Sequence, residues 1–389
     1  MISDTDLIAS ITTRVRAAAA AGTPLRIRGG GSKDFYGQSL QGEVLDMRAL
    51  AGVVSYEPSE LVVTARAGTP LAELEALLAS QGQCLPFEPP HFGPHATVGG
   101  MVASGLNGPA RASVGAVRDY LLGVQLINGQ GECLTFGGQV MKNVAGYDVS
   151  RLMAGALGTL GVLLEVSLKV LPVAPAEATL RCRLPQQQAL DLLNRWGGQP
   201  LPLNASCWVH DDTASPAQDF LFVRLRGAVA AVEAACPRMI ADVQAQGGAA
   251  VRLDNAQASA DWAACREQTL PFFAQPPSPD ACLWRLSLPQ TAPALDLPFE
   301  QLIEWHGALR WLWAPASAAA QLREVAQKAG GHATLFRRAA GASADLSALS
   351  TEAPVFTPLT PVSARIQREL KKQFDPAGIL NPHRLSAHW

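Results

Sequence analysis

The sequence predicts an α+β protein of two principal domains, and three observations carry that expectation. The chain has 389 residues, too many for one ordinary core at a prior of roughly 150 residues per domain. Its first 175 residues read in the order helix, strand, glycine-rich loop, strands, helix, an order that suits an α+β domain. From about 177 to 350 the composition turns alanine-rich, and strands such as 221–226 and 283–288 alternate with helical stretches at 228–246 and 317–329. Pro172 and Pro175 mark the boundary between the two. The expected division is 1–175, 176–352 and a C-terminal segment 353–389.

Leu7, Ile8, Ile11 and Val15 recur at helical spacing, which predicts an amphipathic helix ending near Gly22. Residues 24–28 alternate apolar and charged, the period of a half-buried strand. Short strands follow at 44–47, 53–56 and 61–67, and Thr69-Pro70 starts a helix whose buried face is Leu71, Leu74, Leu77 and Leu78. Tyr120–Ile127 and Glu132–Phe136 flank Asn128-Gly129-Gln130-Gly131, a hairpin signal. A short helix with Leu152 and Met153 precedes a strand at 162–171. Near the end, Thr360-Pro361 opens a helix with Val362, Ile366 and Leu370 as its expected buried stripe.

Composition removes several function classes. Hydrophobic residues make up 48% and charged residues 16%, the mixture of a well-buried globular protein. A formal charge of −2 argues against nucleic acid, which needs a basic face. No apolar run reaches the ~18 residues of a membrane-spanning helix, and acidic Asp4 and Asp6 do not suit a secretory signal. The seven cysteines are scattered without a CxxC pair, so disulfides, structural zinc and a protein-held iron–sulfur cluster are not expected, and reduced thiols in a cytoplasm are. His91 and His95 have zinc-helix spacing, but Gly93 and Pro94 between them forbid the helix. No metal site is expected.

The chemistry-bearing stretch is Arg28-Gly29-Gly30-Gly31-Ser32-Lys33. Glycines that end a strand can expose successive backbone N–H groups in one direction, and such a nest binds anions. Arg28, Ser32 and Lys33 would add charge and a hydroxyl. The alternative is a plain glycine-rich turn. Thr97 to Gly108 is rich in small residues, which implies close approach to the backbone by another helix or by a large planar ligand. Seven of the eight tryptophans fall between 196 and 313; core, subunit interface and substrate contact all remain open for them. His306 with Glu304 could act as an acid–base pair or serve structure alone.

Four stretches in this order resemble a known family: Arg28–Ser32, Thr97–Gly108, Gly146-Tyr147-Asp148 leading to Leu157–Val162, and Phe374–Pro382. The family is the FAD-linked oxidases of the vanillyl-alcohol-oxidase type. Within it the chain is most similar to FAD-binding subunits of bacterial glycolate oxidases, over its whole length. The resemblance implies a two-part FAD-binding domain, a second α+β cap domain, and a C-terminal segment docking back on the first. It implies FAD as cofactor, with the pyrophosphate at 28–32, Thr97, Gly99, Gly100, Ser104 and Gly105 along it, and Gly158, Thr159, Gly161 and Val162 further on. Ser32 stands where relatives with covalent flavin often carry histidine, so non-covalent FAD is expected. Asn381-Pro382-His383-Arg384 departs from the glycine-and-base pattern of relatives, which puts tail contacts in doubt.

Two roles follow from the resemblance. In one, the chain is an FAD subunit in a complex that oxidises glycolate to glyoxylate, alongside a catalytic FAD subunit and an iron–sulfur subunit. Such a chain would be cytoplasmic, meeting the inner membrane only through its partners. In the other it is a self-sufficient 2-hydroxy acid dehydrogenase, with Lys142, Tyr147, His306 and Arg337 the candidates for base and carboxylate-binding residue. The absence of any His-x-His pair favours the first. A cell-wall precursor reductase of the same fold is the runner-up by family.

Overall fold

The computed structural model describes residues 3–138, 148–212, 215–339 and 354–389. Two of the candidates, Lys142 and Tyr147, lie outside the described residues. The chain divides into two compact units, one of residues 3–106, 116–138, 148–173 and 358–389, the other of 107–115 and the described parts of 174–357. The short piece 107–115, expected within the first domain, belongs to the second unit.

The first unit opens with the helix Asp4–Ala21, capped by Ser3 and ended by Gly22 in the left-handed conformation. Ile11, Val15 and Ala18 face inward and pack on Leu25 and Leu45 of a parallel two-stranded pair, Leu25–Arg28 with Glu43–Asp46. A five-stranded antiparallel sheet follows in the order Val53–Glu57, Val62–Arg66, Val162–Lys169, Leu121–Ile127, Cys133–Gly137. The helix Leu71–Ser80 buries Leu71, Leu74 and Leu78 fully against it, each worth about 1.5–3 kcal/mol relative to exposure. At the hairpin, the Asn128 N–H donates to the Glu132 carbonyl at 3.0 Å, and Gly131 takes φ +73°.

The second unit is built on an eight-stranded antiparallel sheet, in the order Ala249–Arg252, Ala176–Arg183, Gln218–Gly227, Leu203–Asp211, Gln301–Glu304, Leu309–Pro315, Ala281–Ser287, His332–Arg337. Helices Gln186–Gly197 and Val229–Gln244 cover its first half and bury Trp196 and Met239. Helix Ala319–Lys328 covers the second half with Leu322 over Trp284. All seven cysteines are free thiols.

One expectation fails clearly. The helix Pro361–Phe374 does not bury Val362 and Ile366, which are 59% and 60% exposed; its one fully buried side chain is Lys371. Apolar spacing reports a stripe but not which way it faces, and here buried polar bonds fix the orientation. Lys371 Nζ donates to the carbonyls of Thr159 and Leu380, both at 2.8 Å, and to Asp375 at 2.6 Å. All three ammonium protons are thereby used.

Candidate functional site

The strand Leu25–Arg28 ends in a loop whose backbone cannot carry side chains. A Cβ on Gly29 would meet Thr97 Oγ1 at 2.2 Å, and one on Gly30 would meet the His95 carbonyl oxygen at 1.4 Å. Gly31 takes φ +75°. Among the described residues, the N–H groups of Gly29, Gly30, Gly31 and Ser32 make no hydrogen bond to protein. Consecutive half-exposed amide donors without a protein acceptor are what an anion nest requires.

This loop is one wall of a groove holding about 800 Å³ of empty space, wholly within the first unit. Arg28 to Asp34 form that wall. Opposite it the short helix Val98–Ser104, capped by Thr97 Oγ1 accepting from the Gly100 N–H, presents Thr97, Gly99, Gly100, Ala103 and Ser104. Gly99 also packs on Ala67, where a Cβ would come within 2.7 Å, so the small residues serve both helix packing and the groove. Leu157, Gly158 and Gly161 complete the far end, with Leu163 beyond them.

Three expected residues do not line the groove. Gly105 is the left-handed cap of the helix at φ +61°, its Cα side facing Gly155. Thr159 is buried with its hydroxyl donating to the Ala156 carbonyl at 2.8 Å. Val162 belongs to the apolar cluster under the sheet. Each supports a lining residue instead of presenting a side chain.

The charges differ from their expected use. Arg28 Nε lies 3.2 Å from Asp34 Oδ2, which also takes Arg26 Nη2 at 2.5 Å. Lys33 Nζ donates to the His91 carbonyl at 3.1 Å. His91 itself meets Glu75 at 2.9 Å. These contacts of Arg26, Arg28 and Lys33 shape the loop, and its backbone amides remain among the donors without a protein acceptor.

Sequence reasoning missed the tail. Asn381 and Arg384 line the groove although the departure from the family's pattern had put them in doubt. The Ile27 N–H donates to Asn381 Oδ1 at 2.7 Å, and Asn381 Nδ2 donates to the Leu157 carbonyl at 2.6 Å, tying both ends of the groove together. Arg384 donates to the carbonyls of Asp34, Tyr36 and Gln38 and so closes the loop from behind. Burial pulls its guanidinium pKa down to about 10.

The remaining candidates lie in the second unit. His306 sits at φ +57° in a tight turn, 7% exposed. Its Nδ1 pairs with Ser206 Oγ at 3.0 Å and its Nε2 with Ser113 Oγ at 2.9 Å. Burial lowers its pKa to about 4, which makes it a weak proton acceptor at neutral pH. Glu304 is not its partner; it accepts from Trp311 Nε1 at 2.6 Å and Cys265 Sγ at 3.2 Å. Arg337 stacks on Phe336 and is largely desolvated, which lowers its pKa.

The model of a family described as an FAD binding domain matches residues 7–137. Over 387 residues the chain is 46% identical to "Glycolate oxidase subunit GlcE" of Escherichia coli, covering 100% of this chain and 99% of that protein. "Glycolate oxidase subunit GlcD" of Bacillus subtilis is 29% identical over 36% of this chain and 29% of its own. Among solved structures, an alkyldihydroxyacetonephosphate synthase superposes with a TM-score of 0.67 at 15% identity, over 96% of this chain and 74% of that one. The last likeness concerns fold alone, the two-part FAD-binding architecture with a second α+β domain. On its full-length match, the chain belongs to the family of the glycolate oxidase subunit GlcE, among FAD-binding oxidoreductases of the vanillyl-alcohol-oxidase type.

Proposed function

We propose that the chain is the FAD-holding subunit of a glycolate-oxidising complex and binds its flavin non-covalently in the groove of the first unit. The observation that carries this reading is the row of uncommitted amides at Gly29 to Ser32 facing a helix of small residues, in a chain whose relative is named as a glycolate oxidase subunit. The loop amides would take the pyrophosphate, Thr97, Gly99, Gly100 and Ser104 would lie along the cofactor, and Gly158, Gly161 and Asn381 would hold its far part. Bound FAD would supply a redox centre that accepts electrons from the catalytic subunit and passes them onward. The residues of this chain bind and orient it and exclude water from its phosphates. Ser32 leaves no nucleophilic imidazole at the position where covalent relatives carry one.

The partners are a catalytic FAD subunit, which oxidises the small 2-hydroxy acid, and an iron–sulfur subunit. The site of action is cytoplasmic, with any inner-membrane contact made through them. No helix of the described residues is long and apolar enough to cross a membrane. His306, held neutral between two serines, does not offer the base that independent turnover requires. Anaerobic mixing of the purified, flavin-loaded chain with glycolate tests the role. Flavin absorbance should persist with this chain alone and bleach once the catalytic subunit is added. Bleaching by the chain alone would make it an enzyme in its own right.

A further inference from the structure

The second unit holds a cavity that the flavin reading does not use. Its volume is about 700 Å³, within the ~300–1,000 Å³ of a site for a small molecule. It lies between the eight-stranded sheet and the helices Asn255–Glu267 and Pro271–Ala274, and all of its lining belongs to that unit. The lining is mostly apolar. Its floor, made by Thr179, Cys207, Trp262, Cys265 and Leu302, is buried. Phe222, Phe272, Phe299 and Trp313 stand around that floor. Trp262 Nε1 donates to Thr179 Oγ1 at 3.0 Å and Trp313 Nε1 to the Phe272 carbonyl at 2.7 Å, which fixes both indoles. Aromatic side chains on several sides of one apolar space suit a flat ring, whose face and edge they can meet.

Charge narrows the class of ligand. No lysine or arginine is among the described residues that line the cavity. Its imidazole, His210, lies 2.6 Å from Asp219, and that bond raises its pKa, with Glu300 and Asp212 adding to the effect. The positive charge of His210 is thereby answered by neighbouring carboxylates. An anion such as a 2-hydroxy acid or a nucleotide would lose hydration over the apolar floor and gain no free cation in return. A neutral ring compound has little hydration to lose. Asp212, Asp261 and Glu300 are exposed, so they keep their water at the mouth beside such a ligand.

The floor is suited to binding more than to reaction. Cys265 Sγ donates to Glu304 Oε1 at 3.2 Å, and contact with Cys207 together with burial holds Cys265 in its thiol form. A thiol so held is a poor nucleophile. We propose that this cavity is a second ligand site, taking a neutral planar ring compound whose apolar rings reach the floor and whose polar edge stays at the mouth. The flavin groove is walled by other residues, and the site does not depend on the chain's place in a complex.

The test titrates the flavin-loaded chain with N-phenyl-1-naphthylamine, a neutral aromatic dye that brightens in apolar surroundings. Its sulfonated counterpart, 8-anilino-1-naphthalenesulfonate, carries the same rings and a negative charge. The neutral dye should bind saturably, and the sulfonate at least tenfold more weakly. Two variants locate the dye. Val209→Trp fills the cavity from the sheet, and Phe272→Ala removes one wall while keeping the backbone carbonyl that holds Trp313. Each should weaken the neutral dye at least fivefold, with flavin content and circular dichroism unchanged. Should Val209→Trp fail to fold, Phe272→Ala decides alone. A smaller loss in every folded variant overturns the site, as does the absence of saturable binding to the wild type. A sulfonate that binds within tenfold of the neutral dye, or displacement of that dye by glycolate, overturns the assignment to a neutral ligand.

Discussion

Lys371 and His306 are the two buried bases whose surroundings give measurable consequences. Lys371 is 6% exposed at its side chain and bridges Asp375 to two backbone carbonyls. Lys371→Met leaves Asp375 buried with only the Ile379 and Leu380 N–H donors. Losing one partner of such a pair costs about 3–5 kcal/mol; urea unfolding should show a fall of that size. His306 is neutral when folded, with a pKa of about 4 against 6.5 when free. As pH falls below 6.5 the unfolded chain takes up a proton that the folded chain refuses, so stability drops until pH 4 and no further from this group. At 1.36 kcal/mol per pH unit the loss is about 3 kcal/mol. His306→Asn, which tolerates the left-handed turn, should flatten that part of the stability–pH curve, read from melting temperatures between pH 7 and 4.

At the scale of elements, the tail is what assembles the groove. Residues 379–381 run beside Leu25, whose N–H donates to the Ile379 carbonyl at 2.7 Å and whose carbonyl accepts from the Asn381 N–H at 2.9 Å. Arg384→Met would remove the donors that hold 34–38, and FAD should bind at least tenfold more weakly in equilibrium titration while the sheet remains intact by circular dichroism. The strands, the hairpin at 128–131 and the first two helices were legible in the sequence because their signals are local: period, cap and turn residue. The groove-lining roles of Asn381 and Arg384 were not, since their partners lie some 350 positions away in sequence. The helix Pro361–Phe374 was legible as a helix, whereas its orientation is set by Lys371 and Asp375, which no periodicity reveals.

Across the whole molecule, the α+β character of both halves could be read from element order, and the family from four spaced stretches. The transfer of 107–115 to the second unit could not, because it depends on pairings such as Trp305 Nε1 donating to the Gly108 carbonyl at 2.9 Å. For the same reason the sequence suggested Glu304 as the partner of His306, while folding gives His306 to Ser206 and Ser113. Acid precipitation of the purified protein should release its yellow colour into the supernatant as intact FAD, since no side chain is proposed to bond the ring.

The central claim is that the backbone at Gly29 to Ser32 holds the cofactor. A β-branched side chain at Gly30 would collide with the His95 carbonyl, which a Cβ alone would approach to 1.4 Å. The decisive measurement is the ratio of FAD to protein, by absorbance, in purified wild type and Gly30→Val, each verified as folded by circular dichroism. Stoichiometric FAD in the wild type and almost none in the variant is the expected result. A folded Gly30→Val protein carrying a full complement of FAD would contradict the account.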